Sequence, residues 1–136
     1  MAEKSITPTK DAMLLCDSII TEVGTGKKSL IGVFEVISTP ELPCQHYSLS
    51  VYVKFTSALG DYTFNLKLID LTKNEIIGEA AIPEKIKIKE KLISYELAFN
   101  LQGLKFNQAG KYEFQVFANN EMFANKTFEI IQIKQK

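Results

Sequence analysis

Residues 47–68 read YSLSVYVKFTSALGDYTFNLKL, in which large apolar side chains stand at every second position on both sides of the Gly-Asp pair at 60–61. A period of two places alternate side chains on opposite faces of a β-strand. The stretch therefore predicts two strands, over 47–58 and 62–70, each with one apolar face. Because only a short turn separates them, we expect the two strands to pair as an antiparallel hairpin.

The rest of the chain contains similar β-rich runs separated by turn residues, and no segment has a helical period. Further hairpins are predicted over 12–37 and 111–133, the second around Asn119 and Asn120. The two prolines within 39–43 cannot sit in a central strand, so we expect the chain to cross there between sheets. The predicted fold is all-β, a two-sheet antiparallel β-sandwich of immunoglobulin-like or jelly-roll-like type with about eight strands.

Length and composition indicate one ordinary globular domain. The 136 residues are 46% apolar and 24% charged, and a chain of this size folds without a metal or a disulfide. We predict a flexible N-terminal tail over 1–10 and a single β-sandwich domain over 11–136. The N-terminus lacks the apolar run of a signal peptide, and no run is long enough to cross a bilayer, so the cytoplasm is the expected compartment.

The charge balance argues against nucleic acid and membranes as partners. Sixteen basic residues oppose sixteen acidic ones, which gives a formal net charge of zero, so no global field steers the chain toward a polyanion. All the basic residues are lysines, and the chain therefore cannot make the bidentate contacts of arginine to phosphate or guanine. We predict no nucleic-acid partner and no membrane partner.

A local pattern near the C-terminus refines the fold prediction. Tyr112 follows the turn residue Gly110 by two positions and precedes Phe114 by two. This arrangement is typical of the tyrosine corner of immunoglobulin-like sandwiches, in which the phenol hydroxyl bonds back to the backbone. The alternative is that Tyr112 simply opens a strand. Phe114 stands where antibody domains have a cysteine, and the chain has no tryptophan, so an antibody-type domain is excluded.

Residues that carry catalysis or bind metals are sparse. His46 is the only histidine and forms a Cys-x-His pair with Cys44. A metal would need further ligands, for which Cys16 and Asp17 are the candidates, but the proline before Cys44 disturbs the strand geometry that the pair requires. No third residue marks a Cys-His nucleophile. We predict no catalytic, cofactor-binding or metal-binding residues, no cofactor and no enzymatic activity.

Four lysines alternate with other residues in one extended segment and form the candidate partner-binding edge: Lys85, Lys87, Lys89 and Lys91. One interpretation is a cationic ribbon for a polyanion or an acidic lipid surface. The favoured interpretation is an edge strand whose lysines block aggregation between sheets, because neighbouring glutamates dilute the charge. An edge strand is also the natural place for a partner strand to add.

Aromatic residues supply a second candidate surface. Most of the nine phenylalanines fall on the inward alternating pattern, so core packing explains them. The residues left for a ligand-binding face are Tyr47, Tyr52, Tyr62 and Phe123.

The N-terminal part of the chain carries a pattern that points to a family. The pattern consists of LLCD at 14–17, GK at 26–27 and LIGVF at 30–34. This Cys-Asp, Gly-Lys and Gly-Val-Phe order resembles an uncharacterised family of small bacterial all-β proteins of unknown function, over most of the chain from about residue 14 onward. The resemblance implies a bacterial all-β protein and carries no activity and no functional residues.

The predicted function is a non-catalytic structural or protein-interaction β-sandwich module of a bacterial protein, which binds a protein partner or a second copy through an edge strand. The alternative is a small-ligand or carbohydrate-binding module that uses tyrosines and end loops. The sequence leaves the identity of the partner or ligand and the oligomeric state open.

Overall fold

The computed structural model describes residues 5–134. Within them the chain forms twelve strands and no helix. The strands are β1 (Thr9–Cys16), β2 (Ser18–Thr21), β3 (Lys28–Ile31), β4 (Val36–Thr39), β5 (Cys44–Thr56), β6 (Gly60–Tyr62), β7 (Phe64–Asp70), β8 (Glu75–Ala81), β9 (Ile86–Ile88), β10 (Tyr95–Phe106), β11 (Gly110–Ala118) and β12 (Glu121–Gln132).

Two sheets face each other and form a sandwich. The three-stranded sheet has the order β1-β5-β10, and the five-stranded sheet has the order β4-β12-β11-β7-β8. Two short ribbons, β2-β3 and β6-β9, complete the pairing in residues 5–134. The predicted all-β two-sheet sandwich is confirmed. Two details differ: there are twelve strands rather than about eight, and β4 runs parallel to β12. The additional strands have three or four residues, which is too short for an alternating pattern to reveal them.

Apolar side chains from the facing sheets fill the interior. Phe55 of β5 meets Phe64 of β7 across the sandwich, with ring centroids 5.4 Å apart. Phe114 of β11 stacks on Phe128 of β12 at 5.3 Å. Such paired aromatic rings add to the free energy gained by removing their surface from water. The largest fully buried side chains include Tyr62, Tyr112, Phe55, Phe64, Phe106, Phe114 and Phe128.

The strands predicted over 47–58 and 62–70 do not pair with each other, so the predicted hairpin is wrong. β5 pairs with β1 and β10, whereas β7 pairs with β11 and β8. Alternation determines which face of a strand is buried, but it does not determine which strand lies beside it. The two apolar faces meet across the sandwich, and the segment between the strands, β6, pairs with β9.

The closing hairpin and the crossing between sheets are confirmed, whereas the first predicted hairpin is confirmed only in part. β11 and β12 form the predicted closing hairpin, and Asn119 and Asn120 both have positive φ, as a tight hairpin turn requires. The chain crosses between the sheets at 39–43 as predicted, because β4 and β5 belong to different sheets. In the first predicted hairpin only β2 and β3 pair, since residues up to Cys16 belong to β1 and pair with β5.

The N-terminal boundary of the domain lies earlier than predicted. Residues 1–4 of the predicted tail lie outside the described residues. Residues 5–10 are held in place, because β1 begins at Thr9 and the Tyr62 hydroxyl donates a hydrogen bond to the carbonyl of Ile6. The same hydroxyl accepts the N–H of Leu59 at 2.7 Å. Residues 5–10 are therefore part of the folded domain.

The predicted tyrosine corner is confirmed. The Tyr112 hydroxyl donates a hydrogen bond to the carbonyl of Gln108 at 2.5 Å, and the Tyr112 side chain is buried. Burial and the nearby carboxylate of Asp70 raise the pKa of Tyr112. The hydroxyl thus remains a hydrogen-bond donor and ties the loop before β11 to the strand itself.

Candidate functional site

The only histidine of the chain lies beside an aspartate from the N-terminal pattern. His46 Nε2 on β5 is 3.2 Å from Asp17 Oδ1, in the turn between β1 and β2. The backbone of Asp17 is fixed on two sides, because its N–H donates to the carbonyl of Ile31 at 2.9 Å and its carbonyl accepts the Ser48 hydroxyl at 2.8 Å. The positions of the carboxylate and the imidazole are therefore set by the surrounding strands.

Gly32 permits this arrangement. Its φ is +72°, and a Cβ built at this position would lie 2.4 Å from Asp17 Oδ2. A left-handed φ is costly for any residue with a side chain, and the carboxylate leaves no room for one. The backbone of Gly32 thus packs directly against the Asp17 carboxylate that contacts His46.

A groove of about 390 Å³ opens beside this pair, and we call it the His46 groove. The Phe34 ring lies 5.6 Å from the His46 ring, measured between centroids. Val33 and Val36 remain 53% and 47% exposed. The residues that line the groove are Asp17, Gly32, Val33, Phe34, Val36, Ile37, Ser38 and His46. From the sequence, His46 was considered only for metal binding and for a Cys-His nucleophile. The groove was not predicted, because long-range folding assembles it.

The other residues considered for metal binding do not join this site. Cys16 is fully buried, its thiol lies 3.8 Å from the carbonyl of Ser50, and burial raises the pKa of the thiol. Cys44 is half-buried and unbridged. Among residues 5–134, no three His, Cys, Asp or Glu side chains gather in a group able to hold a metal ion.

The candidate partner-binding edge is built around β9. Its four lysines are all exposed, and Ile88 between them is buried, so the alternation of the segment is as expected. The strand itself covers only Ile86–Ile88, where it pairs with β6. Lys89 and Lys91 lie beyond its end, so they do not continue a strand edge. The strand offers at most three residues to an added partner.

The four aromatic residues proposed as a ligand-binding face do not share one exposed face, and that prediction is corrected. Tyr62 is 1% exposed, and Phe123 packs against Phe55 with ring centroids 5.6 Å apart. Tyr47 is 79% exposed. Tyr52 donates a hydrogen bond to the carboxylate of Glu96, and burial together with this bond raises the pKa of Tyr52 to about 12. The four residues do not form one surface because Tyr62 and Phe123 pack into or against the core.

The side of the sandwich where β8 and β10 lie is a further candidate site, and we call it the open side. Each of these strands pairs with a single neighbour in residues 5–134: β8 with β7, and β10 with β5. A slot of about 80 Å³ lies between them and is lined mainly by aliphatic groups. Ile76 and Ile77 of β8 are exposed. The residues that line the slot are Leu66, Leu68, Gly78, Glu79, Ala80, Leu101, Leu104 and Phe114.

The hydrogen-bonding groups of β8 alternate between its two sides. The N–H of Ile82, just after β8, donates to the carbonyl of Phe64 on the β7 side at 3.0 Å. In an antiparallel ladder the residues that bond a given neighbour occur at every second position. Ala80 therefore faces β7, and the backbone N–H and C=O groups of Glu79 and Ala81 point away from it. These outward groups form an unpaired strand edge.

Several solved structures resemble this chain at low sequence identity. The alkylpurine DNA glycosylase AlkC of Pseudomonas fluorescens is 10% identical, with a TM-score of 0.51, over 71% of this chain and 28% of the other. A β-glucosidase of Listeria innocua is 14% identical with a TM-score of 0.47, over 91% and 16%. An immunoglobulin-like protein of Pseudomonas aeruginosa is 13% identical with a TM-score of 0.38, over 90% and 95%. The chain thus spans under a third of the glycosylase and under a fifth of the glucosidase.

The sequence comparisons give a family without an activity. No curated protein matches the sequence. A family model described as a family of unknown function matches residues 11–131. The described part of the chain also has no helix long and apolar enough to cross a membrane.

Proposed function

Since this chain belongs to DUF6941, a family of unknown function, we propose from its geometry that it is a non-catalytic protein-interaction domain. Its partner is an extended polypeptide segment that adds as a strand to β8. The observation that carries the proposal is the open side, where an unpaired strand edge and an aliphatic slot lie next to each other.

Strand addition uses both parts of the open side. The outward backbone groups of Glu79 and Ala81 supply hydrogen bonds, which give affinity without regard to sequence. Side chains of an added strand alternate between the two faces of the sheet, so every second one points toward the slot. A volume of about 80 Å³ accepts the end of one aliphatic side chain, and the aliphatic lining favours such a group over a polar one.

The charges of β8 favour a basic partner over a second copy of this chain. The strand reads EIIGEAA, with Glu75 and Glu79 as its charged residues and no lysine. Pairing β8 with another β8 would bring like charges together, which is unfavourable across a strand pair. A partner with lysine or arginine opposite Glu79 would instead gain an ion pair. The lysines around β9 are better explained as a guard against unwanted pairing, because the strand there is so short.

The experiment compares two substitutions at one position of β8. Peptides selected from a random display library on the wild-type protein should alternate aliphatic and polar residues and carry lysine or arginine. Glu79→Pro removes the outward N–H while Ala80 keeps its bonds to β7, and it should abolish binding of these peptides. Glu79→Gln keeps the N–H and loses only the charge, so it should weaken binding by no more than about fivefold.

Thermal unfolding of both variants serves as the control, because an edge position with an outward N–H tolerates proline. Selected peptides that bind a folded Glu79→Pro variant as tightly as the wild type would refute strand addition at β8.

The proposal includes a cytoplasmic, bacterial setting. Cys16 and Cys44 are both free thiols, which suits the reducing conditions of the cytoplasm. Labelling of both thiols directly after cell lysis under denaturing conditions tests this, since a thiol already oxidised in the cell would contradict it.

A further inference from the structure

We propose that the His46 groove is a binding site for a small organic cation, namely a primary amine that carries an apolar body. The groove lies beside β4, at the edge of the five-stranded sheet opposite β8. It is therefore separate from the open side, and the proposal is independent of strand addition.

The charge of the groove selects a cation. Asp17 is the only carboxylate among the lining residues, and no lysine lines the groove. The carboxylate of Glu35, which lies between Phe34 and Val36 in the chain, already pairs with Lys126 at 2.7 Å. In contrast, Asp17 is contacted by His46 at one oxygen, and its side chain is 57% exposed. A carboxylate accepts several hydrogen bonds, so an ammonium group can donate to Asp17 from the groove.

The remaining walls suit the apolar body of such a ligand. Val33 and Val36 lie at the groove with about half of their surface exposed, and an apolar ligand would cover them. The Phe34 ring adds an aromatic face, which attracts a nearby cation. Aliphatic walls with a few convergent polar groups are the usual lining of a small-molecule site.

The site is built before any ligand arrives. The Asp17 backbone is held by bonds to Ile31 and Ser48, and the carboxylate rests against Gly32. Because these groups are already ordered, a ligand does not have to order them, which favours binding.

The test is a titration of the protein with n-hexylamine, followed by backbone amide shifts in NMR spectra. We expect binding in roughly the millimolar range, with the largest shifts at Val33, Phe34 and Val36. The neutral analogue 1-hexanol should bind more weakly, because it lacks the charge. Shortening the alkyl chain should weaken binding about twofold per methylene, since the wall covers each group only in part.

Matched variants separate the contributions of charge and wall. Asp17→Asn should weaken hexylamine binding about fivefold, whereas Glu35→Gln, which removes a neighbouring carboxylate outside the groove, should leave it unchanged. Val36→Thr keeps the shape of the side chain and replaces a methyl group with a hydroxyl, so it should also weaken hexylamine binding. This second variant tests the groove independently of any effect that Asp17→Asn has on the fold. Equal binding of hexylamine and hexanol, or shifts centred away from the groove, would overturn the proposal.

A free amine and a lysine side chain present the same ammonium group. A parallel titration with Nα-acetyl-lysine amide distinguishes them. Tighter binding of the lysine derivative than of hexylamine would identify a lysine of a polypeptide as the ligand, and weaker binding would identify a free amine.

Discussion

Gly32 offers a sharp test of how the pair formed by Asp17 and His46 is assembled. A Gly32→Ala substitution adds a Cβ that would lie 2.4 Å from Asp17 Oδ2 and 3.2 Å from Asp17 Cβ. The carboxylate can rotate away, but the Asp17 Cβ is tied to the backbone. The substitution should therefore break the contact between Asp17 and His46 and shift the turn after β1.

The magnitude follows from a matched glycine elsewhere in the chain. Gly26 has φ +71°, almost the same as the +72° of Gly32, and a Cβ there would meet nothing within 4 Å. Gly26→Ala should therefore lower the free energy of unfolding only by the cost of placing an alanine in the left-handed conformation, roughly 1–2 kcal/mol. Gly32→Ala should cost about 1 kcal/mol more, because it also loses the Asp17–His46 contact, which is worth up to about 1 kcal/mol when partly exposed.

Equilibrium urea unfolding of the wild type and both variants measures these free energies. Repeating Gly32→Ala in an Asp17→Gly background, which removes both the carboxylate and the Cβ of residue 17, should remove the additional cost and leave only that of the conformation. If Gly32→Ala proves no more destabilising than Gly26→Ala, then close contact with Asp17 does not constrain this position and the reasoning fails.

Three further predictions concern single side chains. Tyr112→Phe leaves the half-buried carbonyl of Gln108 without its donor and should lower the free energy of unfolding by about 0.5–1.5 kcal/mol in urea; an unchanged midpoint would argue against a structural role for the corner. Because the pKa of Tyr52 is raised from 10.0 to about 12, the unfolded chain loses this proton first as the pH rises. Stability should accordingly fall between about pH 10 and 12, and should fall less in Tyr52→Phe; identical pH profiles would contradict this. Iodoacetamide should label Cys44 in the native protein well before Cys16, which is fully buried and whose thiol pKa is raised by burial; mass spectrometry of a time course checks the order.

The sequence predicts the faces of the strands better than it predicts their neighbours. Alternation over 47–68 correctly places Phe55 and Phe64 in the core. It does not distinguish two strands that pair side by side from two that meet face to face, and here they meet face to face. Pairing was predictable where only two residues, Asn119 and Asn120, separate the strands, and their positive φ values suit such a tight hairpin.

The candidate sites depend on contacts that local patterns do not contain. Asp17 and His46 are 29 positions apart. Their contact also depends on Gly32, which leaves room for the Asp17 carboxylate. An isolated glycine within an apolar run indicates a close approach of some kind, but it does not identify the carboxylate that approaches. The slot at the open side is likewise formed by four strands from both sheets, so only the assembled sandwich reveals it.

The parallel pair of β4 and β12 affects how the chain reaches its native state. The ion pair next to this ladder, between Glu35 and Lys126, joins residues 91 positions apart. Contacts of such long range form only after a large loop has closed, which is typical of proteins that fold in milliseconds to seconds. During translation, β4 emerges from the ribosome long before β12 exists, so the nascent chain exposes an unsatisfied strand and half a hydrophobic interior. The nascent chain therefore exposes aggregation-prone surface until synthesis has passed residue 132.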